Sequence, residues 1–352
     1  MPDVRATVAA RALPGVGDVA IATALGQPHG VEQLIADRDA AAQARAWAEA
    51  DATIAAAQRI GAQIITLQHD GYPELVRELP DAPAVLYAHG VLATSHTPTV
   101  AIVGTRRASS YGLRVARAIA TSCARAGVCV VSGLAEGIDG AAHEAALAAG
   151  GRTVAVLGTG VDVAFPRRHR ELQSRIARDG LLLSELPPGV PGHGGAFPRR
   201  NRIIAALALL TIVVEAGERS GALITASCAM ALGKRVAVVP NAIDVPSAFG
   251  SNALLRLNEV HALVSPDDVL EWLELRAQPT PAPVLDGDAA SCWDALQHGA
   301  DSLRGVAEYS GMSVRAVSVA LSALEIEGLV VIEPTGRIRV TVGALAGAER
   351  SS

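Results

Sequence analysis

Six short apolar runs punctuate the middle of the chain: Val100–Val103, Val128–Val131, Thr153–Leu157, Leu181–Leu183, Thr211–Val214 and Val236–Val239. Segments of helical period lie between them, at Tyr111–Ala126, Gly140–Ala149, Arg168–Arg178, Arg202–Leu209 and Leu223–Leu232. The runs are continuous rather than alternating, so each reads as a strand buried on both faces. A helix after each strand implies parallel pairing with cover on both sides. The pattern predicts an α/β fold, an extended Rossmann-like parallel sheet over residues 71–275. Asp139 is placed to cap its helix, and Gly127, Gly150 and Gly233 are placed to end theirs.

The flanks read differently. Residues 1–70 predict a domain of small helices, with an alanine-rich helix over Ala40–Ile60. Leu13-Pro-Gly-Val-Gly17 separates two apolar helical patterns, in the manner of a helix–hairpin–helix or SAM-like module. Such a turn lets backbone N–H groups approach a phosphate, although a plain tight turn between helices is the favoured reading of these five residues. Residues 71–98 carry Pro73, Pro80, Pro83 and Pro98 and read as an irregular connector with a short strand at Val85–Tyr87. Residues 276–288 are proline-rich and predict a linker. Residues 289–342 then predict helices over Ala290–Gln297, Leu303–Tyr309 (capped by Ser302) and from Ser313 to Glu327. Gly328 stops the last helix. Strands Val330–Glu333 and Ile338–Val342 follow, joined by Pro334-Thr-Gly336. That order is a winged helix.

Half of the residues are hydrophobic, enough for sizeable cores, yet no apolar run reaches the length of a membrane span. The amino terminus reads as lacking a secretory signal. Cys123, Cys129, Cys228 and Cys292 form no C-x-x-C pair and read as buried thiols in a reducing compartment. These features predict a cytoplasmic protein. The formal net charge is −5, but Val100–Ala205 holds fourteen arginines against seven acidic residues. A local positive surface on an acidic chain is a candidate anion site. Lys234 is the one lysine, so arginine usage carries little functional weight by itself.

The chemistry sits in loops after the strands, where open α/β sheets bind ligands. Gly104-Thr-Arg-Arg-Ala-Ser-Ser-Tyr-Gly112 follows the first core strand. It has neither G-x-G-x-x-G nor the Walker spacing, which disfavours a dinucleotide or nucleoside-triphosphate role. Arg106 and Arg107 point instead to an extended polyanion, because guanidinium forks match phosphate oxygens. Ser132-Gly-Leu-Ala-Glu-Gly-Ile-Asp-Gly-Ala-Ala-His143 offers Glu136, Asp139 and His143, but no second cluster completes a metal shell. Gly158-Thr-Gly-Val-Asp-Val-Ala-Phe-Pro-Arg-Arg-His-Arg170 adds Arg167, Arg168 and Arg170. Phe165 in it reads as a core residue before a base-stacking one. Phe197-Pro-Arg-Arg-Asn-Arg-Ile-Ile-Ala205 brings three arginines and Asn201 before an apolar helical run. Val213-Val-Glu-Ala-Gly-Glu-Arg-Ser-Gly-Ala-Leu-Ile-Thr-Ala226 ends a strand in Glu215, Ser220 and Thr225. Aromatics are 3% of the chain, so phosphate contacts are favoured over serial base stacking.

These blocks, in this order, resemble the DNA-processing protein A family (DprA, also called Smf). The match runs from Val103-Gly-Thr-Arg106 through Val131–Asp139, Leu157–Asp162, Phe165-Pro166, Ser184-Glu185 and Phe197–Ala205 to Val214–Ala226. The three-part layout agrees as well. The resemblance implies a non-enzymatic protein, with no catalytic residues, metal or cofactor. It implies single-stranded DNA and the RecA recombinase as partners, a homodimer, and no membrane. Such a protein protects incoming DNA and loads RecA during natural transformation. By motif, Arg106 and Arg167 are implied as principal phosphate ligands, with Arg107 and Arg170 nearby. Asn201, Ser220 and Thr225 are implied as polar partners, and Gly104, Gly158 and Gly160 as points of backbone approach.

The chain departs from the family in its second half. Ala206-Leu207-Ala208 replaces the usual Gly-Leu-Ser, Pro240-Asn241 a Pro-Gly turn, and Leu257-Asn-Glu-Val260 a glycine turn. This half in the family includes dimer-forming surface. Here the helix Ala226–Leu232, Lys234 and the following strand are the expected packing surface. The alternative is a nucleotide-binding phosphoribohydrolase of the same superfamily, but its Pro-Gly-Gly-x-Gly-Thr-x-x-Glu block is replaced by Glu215-Ala-Gly-Glu-Arg-Ser-Gly221. A double-strand-specific transcription factor is disfavoured, because Arg315 is the only basic residue on the expected recognition helix.

Overall fold

The computed structural model describes residues 4–91, 97–275, 285–327, 329–333 and 335–340. They fall into two compact units divided between Arg276 and Ala277. The first unit opens with helices α1 (Val4–Arg11), α2 (Asp18–Leu25), α3 (Gly30–Ala36) and α4 (Ala40–Arg59). The expected run of helices to residue 70 stops earlier. Gly61 takes a left-handed turn (φ +69°), and Gln63–Thr66 leaves it as strand β1. A short helix α5 (Glu74–Arg77) and strand β2 (Val85–Gly90) follow. β2 outgrows its expected three residues because it pairs antiparallel with β1 on one side and with a core strand on the other.

From there strand and helix alternate: β3 (Thr99–Val103), α6 (Ser110–Arg125), β4 (Cys129–Ser132), α7 (Ile138–Ala148), β5 (Thr153–Leu157), α8 (Arg170–Asp179), β6 (Leu181–Ser184) and α9 (Ala196–Leu207). Next come β7 (Leu210–Val213), α10 (Gly221–Ala231), β8 (Arg235–Val238), α11 (Phe249–Leu254), β9 (Val260–Ala262) and α12 (Pro266–Trp272). The sheet runs β1-β2-β6-β5-β4-β3-β7-β8-β9, parallel from β6 to β9. Strand order reverses between β3 and β7, so the loops after these two strands part at a crevice.

Burial on both faces is complete for β4, β5, β6 and β7. Val103, Val131, Val156, Leu183 and Val213 face α9 and α10. Ile102, Val130 and Ile212 face α6, α7 and α12, while Ala155, Leu157 and Leu182 on that same side meet α8 and the amino-terminal helices. Gly127, Gly150 and Gly233 follow their helices at φ +76°, +71° and +65°, as expected. Asp139 does not cap α7. Gly137 (φ +76°) holds that position, and the Asp139 carboxylate turns back to accept from the N–H groups of Gly133 and Ala135.

Two residues of α9 bind the amino-terminal helices and the sheet flank into one network. Buried Asp18 takes Arg11, Arg199 (2.5 Å) and the Ala84 N–H (3.0 Å). Arg202 makes a bidentate pair with Glu185, both contacts at 2.8 Å, and reaches Asp81 at 2.7 Å.

The second unit contains α13 (Gly287–Gln297), α14 (Leu303–Ser310), α15 (Val314–Ile326), β10 (Val330–Ile332) and β11 (Ile338–Val340), the winged-helix order. Ser302 and Ser313 cap α14 and α15 by accepting from Gly305 and Ala316 N–H. Cys292, Val306, Leu321 and Leu324 form its core. Gly328, Pro334 and the expected end of the last strand at 341–342 lie outside the described residues, as does most of the linker.

Candidate nucleic-acid interface

Loops after β3, β4 and β5 meet at the carboxyl edge of the sheet. Gly137, in its left-handed turn, lets the β4 loop close on the β3 loop: a Cβ there would stand 2.3 Å from the Thr105 carbonyl oxygen. Between the loops lies a cleft of about 80 Å³, lined by Arg106, Gly133, Glu136, Gly158, Phe165 and Arg200 among others. Arg106, Arg107, Arg167 and Arg170 are exposed. Among the described residues none of these four guanidinium groups is paired with a carboxylate, whereas Arg168 is held by Glu136. Phe165 is 45% exposed rather than in the core, and its ring lies 4.9 Å from that of Phe197.

Most of the other expected site residues are held by packing or capping within the protein. A Cβ on Gly104 would strike Ile138 at 2.5 Å, on Gly158 the Phe197 ring at 2.7 Å, and on Gly160 the Pro187 carbonyl oxygen at 2.4 Å. These glycines answer to close packing inside the protein, and Gly158 and Gly160 are buried. Asn201 is also buried and donates to the Gly221 carbonyl. Thr225 lies on the buried face of α10, and Ser220 caps that helix. The arrangement therefore separates an outer set of arginines from an inner frame.

The frame has its own charged centre, which the linear motif concealed. The expected helix from Arg202 begins at Ala196 instead, since Pro198 falls in the first turn, where a missing N–H costs nothing. Arg199, Arg200 and Arg202 therefore stand on a helix rather than ahead of one. Arg200 and Asn201 share the inward face with Ile203 and Ile204. Arg200 donates to the carbonyls of Gly133 (2.7 Å) and Val156, and Gly133 lacks a Cβ because the guanidinium lies where one would be. Burial pulls the Arg200 pKa down to about 10 against the opposing charge of Asp139. Burial likewise raises Asp139, with Arg200 and two backbone N–H groups opposing. His143 packs locally: it is wholly buried, hydrogen-bonds Thr153 at 2.7 Å, and is driven by burial to a pKa of about 3. It is neutral at physiological pH and does not reach the rim. The i, i+3, i+4 spacing of Arg200, Ile203 and Ile204 is the signal in the sequence that places this arginine on the apolar face of a helix.

Residues 63–274 match the family model of DNA recombination-mediator protein A, and residues 276–336 match that of the DprA winged helix domain. The chain belongs to the DprA/Smf family. Protein Smf of Synechocystis is 41% identical over 238 residues, which are 66% of this chain and 60% of that protein. Among solved DprA structures, that from Streptococcus pneumoniae superposes with a TM-score of 0.66 at 32% identity, covering 78% of this chain and 97% of the other. A DprA from Helicobacter pylori, described for its single-stranded DNA binding mode, superposes at 0.55 with 30% identity, covering 60% and 96%. The DprA/Smf core is thus the nine-stranded unit, and its winged helix the second unit.

Proposed function

We propose that this DprA/Smf chain is a cytoplasmic DNA-processing protein that binds single-stranded DNA along the carboxyl edge of its sheet, without catalysis. The observation that carries the reading is the set of exposed arginines without carboxylate partners among the described residues: Arg106, Arg107 and Arg167 after β3 and β5, and Arg170 at the start of α8. An unpaired guanidinium has its full fork free for phosphate. Phe165 adds one exposed ring at the cleft, suited to stacking a single base. The single-stranded DNA binding named for the H. pylori relative supports the same ligand. In this reading the bound strand is protected and handed to the RecA recombinase during natural transformation. Titration of matched single- and double-stranded oligonucleotides at several salt concentrations tests it. Preference for the single strand with a steep salt slope is expected, and equal affinity for both would overturn it.

The proposed assembly is a homodimer that joins two such edges. Ala226 and Ala229 are spent covering the sheet, and the Lys234 ammonium donates to the Ala206 carbonyl. What remains open beside β8 is a groove of about 790 Å³ lined by Met230, Arg235, His261 and Trp272 among others, along edge strand β9. Two linked sites raise affinity through effective concentration. Affinity should therefore step up once an oligonucleotide is long enough to span both. A smooth rise with length and a monomer mass in sedimentation would count against the dimer.

A further inference from the structure

The crevice between β3 and β7 is where a doubly wound sheet ordinarily accepts a phosphate, at the amino terminus of the helix after the first strand. Here that helix is α6, sixteen residues long, with Ser109 at its cap. The position already holds an anion belonging to the chain. Glu215, at the end of β7 and wholly buried, accepts the Ser109 N–H at 3.1 Å and the Ser109 hydroxyl at 2.6 Å. Its other oxygen accepts the hydroxyl of Ser247, from the turn after β8. Gly112, in the first turn of α6, is the residue that admits it: a Cβ there would lie 2.2 Å from Glu215 Oε2. Gly112 has ordinary helical backbone, so the demand is for space and not for a left-handed turn.

We propose that Glu215 is a built-in substitute for a phosphate group, and that it closes the crevice to nucleoside phosphates. Three strands contribute to the arrangement. β3 leads to the helix terminus and Ser109, β7 supplies the carboxylate, and the turn after β8 supplies Ser247. Two hydroxyls and a backbone N–H converging on one anion are the donor set a phosphate would require. A second anion cannot enter beside the first, because like charges at contact distance repel strongly where water is excluded. Ligand phosphates are thereby confined to the outer arginines. Glu215 acts as a specificity determinant without touching DNA. The inference stands whether or not those arginines hold a strand.

The test uses the full chain and inorganic phosphate as probe, with chloride at equal ionic strength as control. Wild type should gain only what phosphate gives through the outer arginines and as a kosmotropic anion, and this sets the baseline for the variants. Glu215→Ala leaves the donors unmatched and the space vacant, so phosphate should stabilise it beyond the wild-type baseline. Above the dissociation constant of that site, each further tenfold in phosphate should raise Tm by about 3 °C more than in wild type. Glu215→Gln keeps the volume filled and should not respond beyond the baseline. Should Glu215→Ala fold only in phosphate, that rescue supports the proposal equally. A folded Glu215→Ala without a phosphate response beyond the baseline would overturn it. So would an equal response in wild type or in Glu215→Gln, or failure of Glu215→Ala to fold with or without phosphate.

Discussion

Arg106 and Arg200 line the same cleft, yet one is free and the other is spent. Arg106 and Arg167 are exposed and unpaired, so Arg106→Ala and Arg167→Ala should each leave the fold intact and weaken single-strand binding. Each should also shallow the log–log salt slope by about 0.7, the share of one phosphate contact; unchanged slopes in both would remove them from the interface. Arg200→Ala is expected to act on stability instead. It strips donors from two buried carbonyls and removes the positive charge that opposes the raised pKa of Asp139, a loss of about 1–3 kcal/mol readable by urea unfolding. His143 supplies a pH signature. Its folded pKa, about 3, lies below the unfolded value near 6.5, so the unfolded chain binds the extra proton between them. Stability from this group is therefore full above the unfolded value and falls as pH drops through the window, by up to about 1.4 kcal/mol per pH unit. Asp139, raised by burial, works with the opposite sign, so the comparison with His143→Leu isolates the histidine. The variant should lose less stability than wild type between neutral and mildly acidic pH.

At the scale of elements, α6 is defined as much by what its first turn excludes as by its apolar stripe. Gly112→Ala should push the Glu215 carboxylate out of place and cost about 1–3 kcal/mol, the usual penalty of overpacking, measured by chemical denaturation. Six core strands were legible because each is a continuous apolar run, and helix ends were legible where a glycine takes a left-handed turn. β1 and β9 were not. Gln63–Thr66 and Val260–Ala262 are short edge strands whose pairing depends on partners elsewhere in the chain. α9 was read six residues late because Pro198 looks like a barrier when it is only a first-turn residue. The same misplacement made three arginines look like ligands. The exposure of Arg106 and Arg167 was legible because loops after strands leave side chains free. Asn201 and Thr225 were not legible as buried residues, since their polarity alone cannot say which way a helix turns.

For the whole molecule, two compact units predict independence. Deleting residues 279–352 should leave a folded core that still binds single-stranded DNA, assessed by circular dichroism and the same titration. A folded but non-binding truncation would make the winged helix the main DNA module. The charges of that unit argue against this outcome. Arg304, Arg337 and Arg339 are each paired with a carboxylate, and the exposed α15 side chains include Val319 (68%) and Ile326 (87%). The amino-terminal helices are not separable in the same way. Asp18 ties Arg11 to Arg199 of α9, and Val8, Ile21 and Ile35 share one core with Leu157 and Leu182 of the sheet, so removing these helices would uncover apolar surface.

The pairing of β3 with β7 also sets an order of events on the ribosome. Val100 meets Leu210 and Val103 meets Val213, so the middle of the sheet waits for more than a hundred residues of nascent chain after its first strand has emerged. Until then β3 has an open edge. The loop carrying Arg106 lacks both the Glu215 carbonyl that binds Thr105 and the Glu215 carboxylate that binds Ser109. Non-local closure of this kind is slow and leaves an edge open to misassociation. The arginine loop is consequently among the last parts of the core to be set, and a chain stalled before residue 215 would display those arginines without the frame that aims them.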